Sequence, residues 1–188
     1  MKKIIGLFAV CTLLLASFSY AHFHYKINAT ATLYANDKKQ LTAVGMSWVY
    51  DQQVSDMMLK SGQSINNLAN GIMTDLVELN YFTQLEFNGK RIATTRPKNY
   101  QLVSIKQGNK NLLKLSFVLP LQSPLFIQGN TLSIVHTDPS ASASIFYHHA
   151  NNIILGEAFK SLCQSRVQAI KGFEAGEAPE LVKIRCKK

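Results

Sequence analysis

Apolar and polar positions alternate along most of this chain. Between residues 23 and 35, Ile27, Ala29, Ala31 and Leu33 fall on one side of a period-2 pattern, and the polar run Asn36-Asp37-Lys38-Lys39 follows as a turn. Leu41 to Tyr50, rich in Val, Trp and Tyr, reads as the returning strand. Leu113, Leu115, Phe117 and Leu119 alternate after Gln107-Gly108-Asn109-Lys110, which predicts a second hairpin over 99–119. Thr131–His136 and Ser142–His148 predict two more strands around the turn dipeptide Asp138-Pro139.

The period changes once. Ile65, Leu68, Ala69, Ile72, Leu76 and Leu79 follow helical spacing, with Ser64 placed as N-cap, and a shorter helix is predicted over Val54–Lys60. Such a stripe packs on a sheet face, although Gly71 within it weakens the helix by roughly 1 kcal/mol relative to Ala. Leu162–Ile184 reads as strands or a short helix. The pattern predicts an α+β fold: a mainly antiparallel β-sheet or sandwich with a helical insertion near 52–82.

The first 21 residues stand apart. Lys2-Lys3, an apolar run from Ile4 to Ala16, and Ser19-Tyr20-Ala21 have the form of a cleaved secretory signal, too short in its apolar part to span a bilayer. Cys11 lies inside the apolar run and lacks the residues of a lipid-attachment box. The expectation is an exported, periplasmic protein, soluble after cleavage, with one domain over 22–188. The chain's 188 residues, 47% hydrophobic and 16% charged, suit a single globular domain.

Of three cysteines, Cys163 and Cys186 remain after cleavage, an even pair for which a disulfide is expected in an oxidising compartment. The expected Cα separation is roughly 4.4–6.8 Å. The net charge of +9 is spread over scattered lysines without a dense run, which reads as solvated surface rather than a nucleic-acid interface.

Candidate chemistry gathers at the new terminus. Cleavage after Ala21 leaves a free amine on His22, followed by Phe23 and His24, and imidazole nitrogen suits Zn²⁺, Ni²⁺ and Cu²⁺. Two geometries are open. In one, the amine, backbone amides and the His24 ring wrap a square-planar Cu²⁺ or Ni²⁺. In the other, both rings join ligands from elsewhere in a tetrahedral site. Asp51, His136, Asp138 and His148 are the candidate completing ligands, while His149 reads as part of a strand end. The GxSxG, HExxH, GxxxxGK[ST] and GxGxxG motifs do not occur, so no enzymatic activity is expected.

These pieces together resemble a family of periplasmic domains of unknown function, family 1007. They are His22-Phe23-His24 after a signal ending in Ala, Trp48-Val49-Tyr50-Asp51 with Ser55, Tyr81-Phe82-Thr83 before Asn88-Gly89-Lys90, and Asp138-Pro139. The resemblance implies a short strand and turn after Tyr-Phe-Thr, and a periplasmic component accompanying nickel, cobalt or zinc membrane transporters. Two positions depart from the family's pattern. Phe23 stands where Pro is usual, restoring the N–H that an amide-wrapped metal needs, and Asn28 stands where an Asp is frequent.

The expected function is that of an accessory handling a divalent transition metal (Zn, Ni or Cu) for a membrane transporter. The alternatives are a metal-free interaction module and a copper enzyme using His22 as a histidine brace.

Overall fold

A computed structural model describes residues 24–138, 142–171 and 178–188. The expected signal segment over 1–21, with His22, Phe23 and Pro139, lies outside the described residues. Strands β1 (Tyr25–Ala35) and β2 (Leu41–Tyr50) form the first hairpin, in register from Ile27 opposite Tyr50 to Leu33 opposite Val44. Its turn is held by Asn36, whose Oδ1 accepts from the backbone N–H groups of Lys38 and Gln40.

Strands β5 (Tyr100–Gln107) and β6 (Lys110–Leu125) form the second hairpin, turning where Gly108 takes φ +59°. Strand β6 lies against β2, and β8 (Ala143–Phe146) runs parallel to β1 on its other edge. The first sheet therefore has the order β5-β6-β2-β1-β8, with the two-residue β9 (Ile153–Ile154) also pairing with β1.

A second sheet has the order β10-β11-β7-β3-β4, from Cys163–Ala169, Glu180–Cys186, Thr131–His136, Thr83–Phe87 and Lys90–Arg91 respectively. Within the stretch expected to be strands or a short helix, Cys163–Ala169 and Glu180–Cys186 are thus strands, and β3 and β4 supply the short strand and turn after Tyr-Phe-Thr. The inner faces of the two sheets share one apolar core, in which Trp48 of β2 is fully buried. Its ring meets Phe117 of β6 and His136 of β7 edge-on, with centroids 5.0 and 5.8 Å apart. The α+β class expected from the periodicity is the observed one.

The helical insertion is α1 (Gln52–Lys60) and α2 (Ile65–Glu78). Asp51 caps α1 by accepting from the Val54 N–H, and Ser64 caps α2 by accepting from the Asn67 N–H, as its sequence position predicts. Buried Ser55 ties α1 to the sheet: its Oγ donates to the Tyr50 carbonyl and accepts from the Leu113 N–H of β6. The apolar stripe of α2 buries Ala69, Met73 and Leu76, whereas Leu79 is 39% exposed at the C-cap.

Cys163 and Cys186 are disulfide-bonded, with Cα atoms 4.0 Å apart, closer than the expected range. They are directly opposed across β10 and β11, and their N–H groups donate elsewhere, to Phe159 and Asn130. This is the non-hydrogen-bonded type of pair, the closer of the two antiparallel arrangements.

Candidate functional site

Several chain segments meet at one end of the sandwich: the start of β1, the end of β2 with the start of α1, and the start of β8. Asp51 joins the first two. Its Oδ2 accepts from the Lys26 N–H at 2.7 Å and its Oδ1 from the Val54 N–H at 2.9 Å, while its own N–H donates to the Lys26 carbonyl. Asp138 organises the next segment: its Oδ2 accepts from the N–H groups of Ser142 and Ala143, at 2.8 and 2.7 Å. Ser142 in turn accepts the Tyr25 N–H, which fixes β8 to the start of β1.

Tyr25 reports on both acids. Burial raises its phenol pKa, and the negative charges of Asp138 and Asp51 raise it further. Its ring lies 6.3 Å from that of Tyr50, whose phenol is pushed up by burial and then by Tyr25. His24, exposed, immediately precedes Tyr25. The fold therefore brings Asp51 and Asp138, distant in sequence, to the backbone segment that follows the candidate histidine. Tyr25 itself carries no signal in the sequence, because a tyrosine at the head of a strand is ordinary strand composition.

The chemistry of these donors suits a borderline divalent cation, since imidazole nitrogen and carboxylate oxygen are ordinary zinc ligands. A carboxylate has about four lone-pair positions, and the two hydrogen bonds to Asp51 occupy one on each oxygen. Among the described residues, no group of three or more His, Cys, Asp and Glu side chains is assembled as a ligand set.

The other candidate histidines stand elsewhere. His148 lies on the outer side of β1, where its Nε2 donates to Asn28 Oδ1 at 2.8 Å and its ring stacks on Phe146. Its backbone takes φ +61°, and the N–H groups of Tyr147 and His148 both donate to the Glu180 carboxylate. Those donors leave the ladder, so β8 stops at Phe146 instead of running to His148. His149 is exposed.

His136 is a core residue, 3% exposed, with both ring nitrogens engaged. Thr83 Oγ1 donates to the Tyr81 carbonyl, so at its 3.1 Å contact with His136 it is the acceptor and Nδ1 carries the proton. Nε2 then accepts from the Tyr147 hydroxyl at 2.6 Å. Burial lowers the His136 pKa to about 4, opposed by a hydrogen bond to the Phe82 backbone. The structure turns this ring into the sheet interface, away from the exposed His24.

Comparison with curated proteins finds no match. A family model described as "Protein of unknown function (DUF1007)" matches residues 7–175, nearly the whole chain. By that match the protein belongs to the DUF1007 family, in agreement with the motifs from His22 to Pro139.

Proposed function

We propose that the protein is an exported accessory that holds a divalent transition metal and exchanges it with a membrane transporter. The supporting observation is that Asp51 and Asp138 both anchor the start of β1 directly after His24, Asp51 by accepting the Lys26 N–H and Asp138 through Ser142, whose carbonyl accepts the Tyr25 N–H. In this reading His22 and His24 supply nitrogen, the two aspartates supply oxygen and anionic charge, and His136 and His148 take no part. Export is supported by the leader-like first 21 residues and the Cys163–Cys186 disulfide. Zn²⁺ suits a mixed nitrogen and oxygen set, while Phe23 keeps the amide-wrapped Cu²⁺ or Ni²⁺ arrangement open.

Calorimetric titration of the chain beginning at His22 with Zn²⁺, Ni²⁺ and Cu²⁺ tests this. His24→Ala lowers affinity for each metal in either geometry, and binding weakens as pH falls through the imidazole range near ~6.5. One extra residue before His22 weakens an amine-dependent Cu²⁺ or Ni²⁺ site but spares a side-chain Zn²⁺ site. Indistinguishable binding by the parent chain and His24→Ala overturns the proposal. A second reading, a metal-free interaction module, draws on the structural work the aspartates already do as helix cap and turn anchor. Asp51→Asn, with its denaturant midpoint measured alongside to register the lost Lys26 hydrogen bond, separates the two, because Asn retains the helix cap but brings no charge to a metal.

A further inference from the structure

The β10–β11 hairpin carries apolar and charged residues on opposite faces. Cys163, Val182, Ile184 and Cys186 are buried in the core, while Gln164, Arg166, Gln168, Lys183 and Arg185 line a cavity of about 180 Å³ on the other face. The register sets Arg166 opposite Lys183 and Gln164 opposite Arg185. Like charges directly opposed across a ladder are destabilising, and none of the five lining residues is acidic. Among the described residues, none of the three cations is ion-paired.

The neighbouring strands do not relieve this charge. On β7, Thr131 and Ser133 stand opposite Arg185 and Lys183. Glu86 of β3 is one strand further, about 10 Å from β11 at ordinary strand spacing; it is paired in register with Arg91 and accepts from Gln84. Edge strands often carry charge to block further pairing, which accounts for Arg166 on β10. Strand β11 is internal, paired on both sides, so Lys183 and Arg185 have no edge to guard.

We propose that this face is a binding site for a phosphoryl anion. Two guanidinium forks and one ammonium match a tetrahedral oxyanion, and the Gln164 and Gln168 amides add neutral donors. The cavity is smaller than the ~300–1,000 Å³ of sites for drug-sized ligands, which suits a single phosphoryl group. The Cys163–Cys186 bond, next to the Gln164–Arg185 pair, locks the hairpin register and holds the donors in place before a ligand arrives. The same chemistry is offered by free phosphate and by the headgroup of an anionic phospholipid.

The test is titration of the purified protein at low ionic strength with inorganic phosphate and pyrophosphate. A parallel arm uses vesicles of phosphatidylglycerol in phosphatidylcholine against phosphatidylcholine alone. Saturable binding in the first arm identifies a free phosphate ligand; binding only to the phosphatidylglycerol vesicles identifies a headgroup. In either case Arg166→Gln with Arg185→Gln weakens binding roughly tenfold or more, since charge-assisted hydrogen bonds are lost. Lys38→Gln with Lys106→Gln removes the same charge from exposed positions on the other sheet and leaves binding within about twofold. Equal losses in the two double variants, or no binding in either arm, overturn the proposal.

Discussion

His136 is the residue whose environment has the clearest thermodynamic consequence. Its pKa falls from the ordinary 6.5 to about 4 on folding. Between those values the unfolded chain binds a proton that the folded protein refuses. Stability is therefore fully present above pH ~6.5, declines as pH falls, and is lost by about 3 kcal/mol once pH is below ~4. Carboxylates titrate in the same window, so the relevant quantity is a difference. Urea unfolding of the wild type and His136→Phe at pH 7 and near pH 4.5 is expected to show a smaller acid loss in the variant. Tyr147→Phe removes the donor to Nε2 and leaves a buried acceptor unpaired, at an expected cost of about 1–3 kcal/mol at pH 7. The strand that supplies Thr83 to this histidine is entered through an unusual turn: Asn80, Tyr81 and Phe82 all have φ near +50°, a conformation costing L-residues roughly 1–2 kcal/mol each. Burial of the Tyr81 and Phe82 rings offsets that cost and positions Thr83 against His136.

At the scale of elements, the hairpin β10–β11 and the helix α1 each depend on one covalent or polar staple. Replacing both Cys163 and Cys186 with Ser is expected to lower stability by about 3–4 kcal/mol, the chain-entropy value for a loop of this length, read from shifted denaturant midpoints. Thiol titration of the denatured, unreduced protein is expected to find no free thiol at these positions. Asp51→Ala removes the cap of α1 and the side-chain acceptor for Lys26, costing about 1–2 kcal/mol, whereas Asp51→Asn keeps the cap through its one carbonyl oxygen and loses the acceptor for the Lys26 N–H. Gly156 has φ +69°, and a Cβ there would lie 3.0 Å from the Leu33 carbonyl oxygen. Gly156→Ala is therefore expected to loosen the segment after β9 where it leans on β1.

For the whole molecule, the two proposed sites lie on different sheets and are expected to act independently. Strand β1 is paired on both edges, to β2 on one side and to β8 and β9 on the other, so the fold is anchored from Tyr25 onward. A chain beginning at Tyr25 is expected to unfold at nearly the same denaturant concentration as the chain beginning at His22. It is also expected to lose metal binding and to retain phosphate or headgroup binding. Loss of both activities together would show that the terminus supports the fold rather than a site.

Local periodicity was enough to specify the strands 25–35 and 41–50, the two helices and the Ser64 cap, because each rests on alternation or capping among residues close in sequence. The even pair of cysteines likewise sufficed for the disulfide. Pairing across the chain is another matter. Nothing in Ala143–Phe146 distinguishes a parallel partner for β1 from an antiparallel one, and the short β3 and β4 carry too little alternation to assign a sheet. The histidines show the same division. Their residue type proposes a ligand, but only packing decides that His136 meets Trp48, Thr83 and Tyr147 in the core and His148 meets Asn28 outside. The approach of Asp51 and Asp138 to Tyr25, and the opposition of Arg166 to Lys183, are products of register and sheet order. Those are long-range choices, made when two sheets bury their faces together, and no window of neighbouring residues contains them.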